Sequence, residues 1–114
     1  LWCLFGCGGD RDKDKRAVMG NIAEKYSDHI MLTSDNPRNE VEMDIINNIL
    51  SGMENVDKTI VNPDRKKAIE LTFAHIQKNQ KGGILLIAGK GHEEYQEIQG
   101  FFHELSDRDI INSL

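Results

Sequence analysis

The chain has 114 residues, 39% of them hydrophobic and 29% charged, with a formal net charge of -5; that suits one compact domain with a single core. The composition is that of a globular rather than a disordered chain, and the acidic balance argues against a nucleic-acid partner held by charge. The longest apolar run, Ile84-Leu85-Leu86-Ile87-Ala88, is far short of the ~20 residues of a membrane span, and no basic-then-apolar leader opens the chain, so no membrane partner and a cytoplasmic location are expected.

Leu1-Trp2-Cys3-Leu4-Phe5 is an apolar run ending at Gly6, which predicts a buried strand feeding the glycine-rich loop Gly6-Cys7-Gly8-Gly9. Its start, without Met or a polar lead-in, leads us to expect a piece of a longer polypeptide. Cys3 and Cys7 are too few for a four-ligand zinc site and lack the redox spacing, so they read as ordinary reduced thiols. From about Lys15 to Tyr26, apolar Val18, Met19, Ile22, Ala23 and Tyr26 recur at spacings of three and four and predict a helix with these side chains on one face.

His29 to Thr33 is the second predicted strand, followed by the turn Ser34-Asp35-Asn36-Pro37-Arg38. Met43, Ile46, Ile49, Leu50 and Met53 repeat the helical spacing, with Gly52 near the expected stop. Lys58 to Val61 is a short strand. Asn62-Pro63-Asp64 reads as a helix start, with Asn62 as the cap, and that helix should run to about Asn79, before Gly82-Gly83. Ile84 to Ala88 has the continuous apolar character of a strand covered on both faces, and is expected to be the central strand. Tyr95 to Leu105 should form a hairpin around Gln99-Gly100, before Ser106-Asp107 caps a final helix. The order predicts an α/β, Rossmann-like three-layer domain with a mostly parallel, mixed sheet flanked by helices.

In open α/β sheets ligands bind beyond the carboxyl ends of the strands. Three loops there are polar and glycine-rich: Gly6 to Asp12, Ser34 to Arg38, and Gly89-Lys90-Gly91-His92-Glu93. A dinucleotide fingerprint fails because Arg11 stands where the third glycine belongs, and no G-x-x-x-x-G-K-(S/T) phosphate loop occurs. The loops do offer opposite charges: an arginine fork suits a carboxylate and Glu93 suits an ammonium, a pairing that reads an amino-acid group. Taken singly, each has a plain structural reading. Asp-Asn-Pro is a common turn, Arg11 lies in a solvated charge run, His92 follows a glycine loop as structural histidines do, and Glu93 and Glu94 are by default surface carboxylates. His75 and His103 receive no role.

Together, "LFGCGGDRDKDKR", "TSDNPR" and "IAGKGHEEYQ", in this order and at these separations, resemble the C-terminal domain of the Mur ligases, over essentially the whole chain. The resemblance implies a third domain of a larger enzyme, preceded by an N-terminal UDP-substrate domain and a central ATPase domain. It implies ATP-dependent amide formation in peptidoglycan synthesis, and through it a part in cell shape and division. The DNPR version of the turn is associated with meso-diaminopimelate rather than L-lysine as the incoming amino acid, added to UDP-N-acetylmuramoyl dipeptide through an acyl phosphate.

Carried over by position, Arg11, Asn36 and Arg38 take the carboxylate end of diaminopimelate, and the Gly89 carbonyl and Glu93 its distal ammonium, with Asp35 also counted among the diaminopimelate-binding residues. Asp10 lies near the nucleotide ribose, with Lys13, Lys15 and His92 near the phosphates. No catalytic residue and no metal ligand is assigned to this chain; ATP and Mg2+ would be bound mainly by the central domain. Asp14 and Ala17 depart from the usual small residue and proline of the first motif, and the added charge of Asp14 bears on the nucleotide side alone. The competing reading is a stand-alone α/β module that binds a zwitterion or nucleotide without catalysis. A Mur ligase with a different amino acid is a third.

Overall fold

The computed structural model describes residues 1–10, 13–78, 83–89, 93, 95–99 and 101–114. The elements follow the order β1 (Trp2–Phe5), α1 (Asp14–Tyr26), β2 (His29–Leu32), α2 (Glu42–Leu50), β3 (Thr59–Val61), α3 (Arg65–Lys78), β4 (Leu85–Ile87), β5 (Tyr95–Ile98), β6 (Phe101–Glu104) and α4 (Asp107–Asn112). Strands β1 to β4 form one parallel sheet in the order β3-β2-β1-β4, while β5 and β6 pair antiparallel in a separate two-stranded sheet. The register sets Trp2 opposite His29 and Leu85, and Ile30 opposite Thr59.

Alternation along the strands builds two cores, because successive side chains point to opposite faces. Cys3, Phe5, Ile30 and Leu32 face one way and pack with Ala23 of α1 and Ile45, Ile46 and Ile49 of α2. Leu4 and Met31 face the other way, against Ala68 and Ile69 of α3 and Ile110 of α4. Full burial of such side chains is worth about 1.5–3 kcal/mol each, so both helical layers are held by the same short strands.

Three details differ from the sequence expectation. Of the expected apolar stripe of α1, Ala23 faces the core, joined there by Arg16 and Gly20, whereas Val18, Met19, Ile22 and Tyr26 are exposed. Met19, Ile22 and Tyr26 instead wall an apolar groove of about 240 Å3 with Leu1, Phe5, Leu86 and Ala88. The cap of α3 is Asp64, whose Oδ1 accepts from Lys67 N at 3.1 Å; Asn62 is spent on an Asx turn, accepting from Asp64 N at 3.0 Å. Strand β4, expected at the centre, lies at the edge. It is also covered on one face only: Leu85 and Ile87 pack on the α3 core, whereas Ile84 and Leu86 are exposed, because a run of apolar residues carries no information about which backbone edge is paired or what covers the second face. Ser106 caps α4 as expected, accepting from Asp109 N at 3.3 Å.

Candidate functional site

All three polar loops leave the carboxyl ends of β1, β2 and β4, on one edge of the sheet. Of the residues singled out in the sequence, Arg11 and His92 lie outside the described residues, as do Asp12, Asn79, Gly82, Lys90, Gly91, Glu94 and Gly100. Asp35, Asn36, Arg38, Gly89 and Glu93 lie together, with Asp10 and Lys13 beside them on the first loop.

The second loop is the hub. Asn36 is 3% exposed: its Nδ2 donates to Glu93 Oε2 at 3.2 Å, its Oδ1 accepts from Glu97 N at 2.9 Å, and its carbonyl accepts from Gly9 N at 2.6 Å. One residue thus joins the third loop and the hairpin through its side chain and the first loop through its backbone carbonyl. Arg38 adopts the left-handed backbone conformation, φ 53°. Its N donates to Glu97 O at 2.9 Å, and a parallel bridge pairs it with Ile98, so the hairpin docks on the turn. The Arg38 guanidinium donates from Nη1 to Gly9 O at 3.0 Å and to Asn36 O at 3.4 Å, and its Nε lies 3.5 Å from Glu97 Oε1. The Nη2 edge makes no hydrogen bond among the described residues. Gln96, buried in β5, donates to Ser34 Oγ at 2.6 Å and Asp35 O at 2.8 Å.

The first loop is held close to the second. A Cβ on Gly9 would lie 1.7 Å from the Pro37 carbonyl oxygen, so only glycine permits this approach. Asp10, also left-handed at φ 56°, donates its N–H to Glu40 Oε2 at 2.6 Å and accepts from Asn39 Nδ2 at 2.9 Å. Glu40 is gripped by the buried Arg16, Nη1 to Oε1 at 3.1 Å and Nη2 to Oε2 at 2.7 Å. Arg16 also donates to Gly8 O at 3.0 Å and Asn48 Oδ1 at 2.9 Å. The guanidinium bonds, with the Asp10 N–H, hold the Glu40 carboxyl down at about 2. Lys13 is largely exposed, its Nζ 3.7 Å from Glu40 Oε1.

The third loop opens at Gly89, whose φ of 112° is a glycine conformation, with a Cβ position 3.6 Å from Asp35 Oδ2. Gly6, Cys7, Lys15, Arg16, Asp35 and Gly89 line a depression of about 500 Å3 between the loops. Burial pushes the Cys7 thiol up, against the pull of Arg16 and with a further push from Asp35, so it stands there as a neutral thiol.

Sequence reasoning missed Glu40, Gln96, Arg16 and Arg65. Glu40, Gln96 and Arg16 look like ordinary surface residues, and it is the long-range pairing of loops that gives them partners. Arg65 carried a signal, since a cation in the first turn of a helix opposes the macrodipole.

The family description "Mur ligase, glutamate ligase domain" matches residues 1–91. The chain is 51% identical over all 114 residues to a "UDP-N-acetylmuramoyl-L-alanyl-D-glutamate--2,6-diaminopimelate ligase" of Buchnera aphidicola subsp. Acyrthosiphon pisum (strain APS), and covers 22% of that protein. It is 48% identical to the protein of that name from Aquifex aeolicus (strain VF5), again over the whole chain and 23% of the relative. A solved structure of a ligase of the same name superposes with a TM-score of 0.88 at 40% identity, over 99% of this chain and 23% of that one. The chain therefore spans less than a quarter of the length of these relatives.

Proposed function

The chain belongs to the Mur ligase family, as its C-terminal, glutamate ligase domain, and from that premise we propose that it presents meso-diaminopimelate to UDP-N-acetylmuramoyl-L-Ala-D-Glu in an ATP-dependent, ADP-forming ligase of the cytoplasm. The supporting observation is the pairing of opposite charges around Asn36: the Nη2 edge of Arg38 on one side, the Glu93 carboxylate fixed by Asn36 Nδ2 on the other.

In this reading Arg38 and Arg11 take the carboxylate that distinguishes diaminopimelate from L-lysine. Asn36 fixes the distance between the two charged ends, and Glu93, the Gly89 carbonyl and Asp35 receive the distal ammonium. The γ-phosphoryl group of ATP passes to the D-glutamyl carboxylate. The amine of diaminopimelate attacks the acyl phosphate, loses a proton, and phosphate leaves as the amide forms. Magnesium supplies charge neutralisation at the transferring phosphoryl group. In this reading ATP and magnesium are bound mainly by the central domain of the full-length protein. Asp10 and Lys13, both exposed at the rim, are the groups of this chain nearest the nucleotide, with His92 beside them in the sequence-based assignment.

Lysine keeps the ammonium but offers no carboxylate to the Nη2 edge of the partly buried Arg38, and a polar edge desolvated without its partner discriminates against the wrong ligand. The test is ADP release by the full-length protein with the UDP-dipeptide, ATP, and either meso-diaminopimelate or L-lysine. Release with diaminopimelate alone supports the reading, and equal use of lysine sinks the specificity argument. Arg38→Ala is expected to raise the KM for diaminopimelate by the equivalent of about 2–5 kcal/mol, and an unchanged KM would remove Arg38 from the carboxylate site.

A further inference from the structure

We propose that Arg65 is a positioning residue for the amino-acid site: from the interior it sets the spacing between the second and third loops, and so the match between the site and the length of its amino acid. The inference rests on the proposed reading of those loops as a diaminopimelate site.

Arg65 is the first residue of α3, in a first turn without an acidic residue, where a cation opposes the helix dipole. Its side chain is fully buried. The helix therefore does not account for it, and its partners do. The Nε and Nη2 atoms donate to Asp107 Oδ1 and Oδ2, both at 2.8 Å, in a bidentate pair with the first residue of α4. Nη1 donates to Ser34 O at 3.0 Å, and Nη2 also reaches Ala88 O at 3.3 Å.

Those two carbonyls are the roots of the two loops. Ser34 precedes Asp35-Asn36-Pro37-Arg38, and Ala88 precedes Gly89. They follow β2 and β4, which are not neighbours in the sheet, because β1 lies between them. Each segment is tied to β1, Thr33 N donating to Phe5 O and Ala88 N to Leu4 O, both at 3.0 Å, and the rigid planar fork of one guanidinium adds a direct link between the Ser34 and Ala88 carbonyls across that strand. Asp107 keeps that buried charge paired from the opposite side, without which it would be strongly unfavourable. Ser34 is fixed from a second direction by its Oγ donating to Pro63 O at 2.7 Å and accepting from Gln96. Arg65 thus sets the spacing at the roots of the two loops, on which the Asn36–Glu93 contact nearer the rim is built.

The test uses the full-length protein with Arg65→Lys, which keeps the charge and loses the fork. The KM for meso-diaminopimelate is expected to rise roughly tenfold, in keeping with the cost of a sub-ångström misplacement in a preorganised site. The KM values for ATP and UDP-dipeptide should stay within about twofold, since the Arg65 bonds do not reach the first loop. Should that variant fail to fold, Asp107→Asn, which removes one charge at nearly constant volume, carries the same expectation. A lowered melting temperature with an unchanged KM for diaminopimelate would overturn the proposal and leave a purely structural ion pair. A wild-type protein that releases ADP regardless of diaminopimelate would overturn the functional reading and this inference with it. A diaminopimelate-dependent wild type with unaltered variant KM would overturn the inference alone.

Discussion

A left-handed backbone costs a residue such as Arg38 roughly 1–2 kcal/mol relative to the right-handed one, and the bonds to Glu97 O and Gly9 O hold it there. The same closeness makes Gly9 intolerant: Gly9→Ala places a methyl 1.7 Å from the Pro37 oxygen, so the loops must part, with a loss of about 1–3 kcal/mol in chemical denaturation. Glu40 brings a pH dependence. Its carboxyl titrates at about 2 in the folded protein against an ordinary value of 4.5, so its contribution to stability is complete above about pH 4.5 and is lost as the pH falls toward 2. Acid-unfolding curves of the wild type and Glu40→Gln should therefore converge below that window and separate above it; curves that stay parallel would show that the Arg16–Glu40 pair contributes nothing. Thr33 offers the opposite sign. Its hydroxyl is fully buried and makes no hydrogen bond among the described residues, so Thr33→Val should leave thermal stability unchanged or raise it by about 1 kcal/mol.

Helix α3 shows how far local signals reach. The Asn62-Pro63-Asp64 stretch announced a helix start, yet two capping residues compete there and the backbone selects Asp64. Asp64→Ala is accordingly expected to cost about 1 kcal/mol in thermal unfolding and Asn62→Ala less. Strands and helices were legible because period-two and period-3.6 patterns are properties of neighbouring residues. The use of the α1 stripe was not legible: Met19, Ile22 and Tyr26 have helical spacing, but Arg16 and Gly20 take the inner face because Arg16 reaches Glu40 and Gly8 there. The site divides the same way. Its loops were legible from glycines and charges at strand ends, and Arg38, Asn36 and Glu93 do converge. Gln96 and Arg65 were not, since each reaches the second loop across many intervening residues, over distances that only topology determines. The hairpin turn carries a further expectation. Gln99 is left-handed at φ 54°, so Gln99→Gly should stabilise β5–β6 by up to about 1 kcal/mol, visible as slower amide exchange of Glu97 and Ile98.

The chain corresponds to less than a quarter of the relatives it matches, and its sequence holds no phosphate loop. The 114 residues alone are expected neither to release phosphate from ATP nor to form amide, and turnover by the purified chain would contradict the division of labour proposed above. Domain closure commonly completes such sites, so diaminopimelate should bind the isolated chain more weakly than the full-length protein by calorimetry. The chain's single tryptophan stands apart from all of this. Trp2 is stacked on His29 at 4.7 Å and His75 at 5.6 Å, at the amino end of β1, while the glycine loop leaves the other end. Three residues of strand, Cys3 to Phe5, separate the two, and Trp2 lies about 13 Å from Gly6. The indole is therefore a fluorophore already installed at the foot of the sheet, whose emission is expected to report its stacking on the two imidazoles rather than what docks at the rim. A variant at Arg38, Gly9 or Arg65 that binds nothing but keeps the native emission has lost its recognition surface, not its architecture.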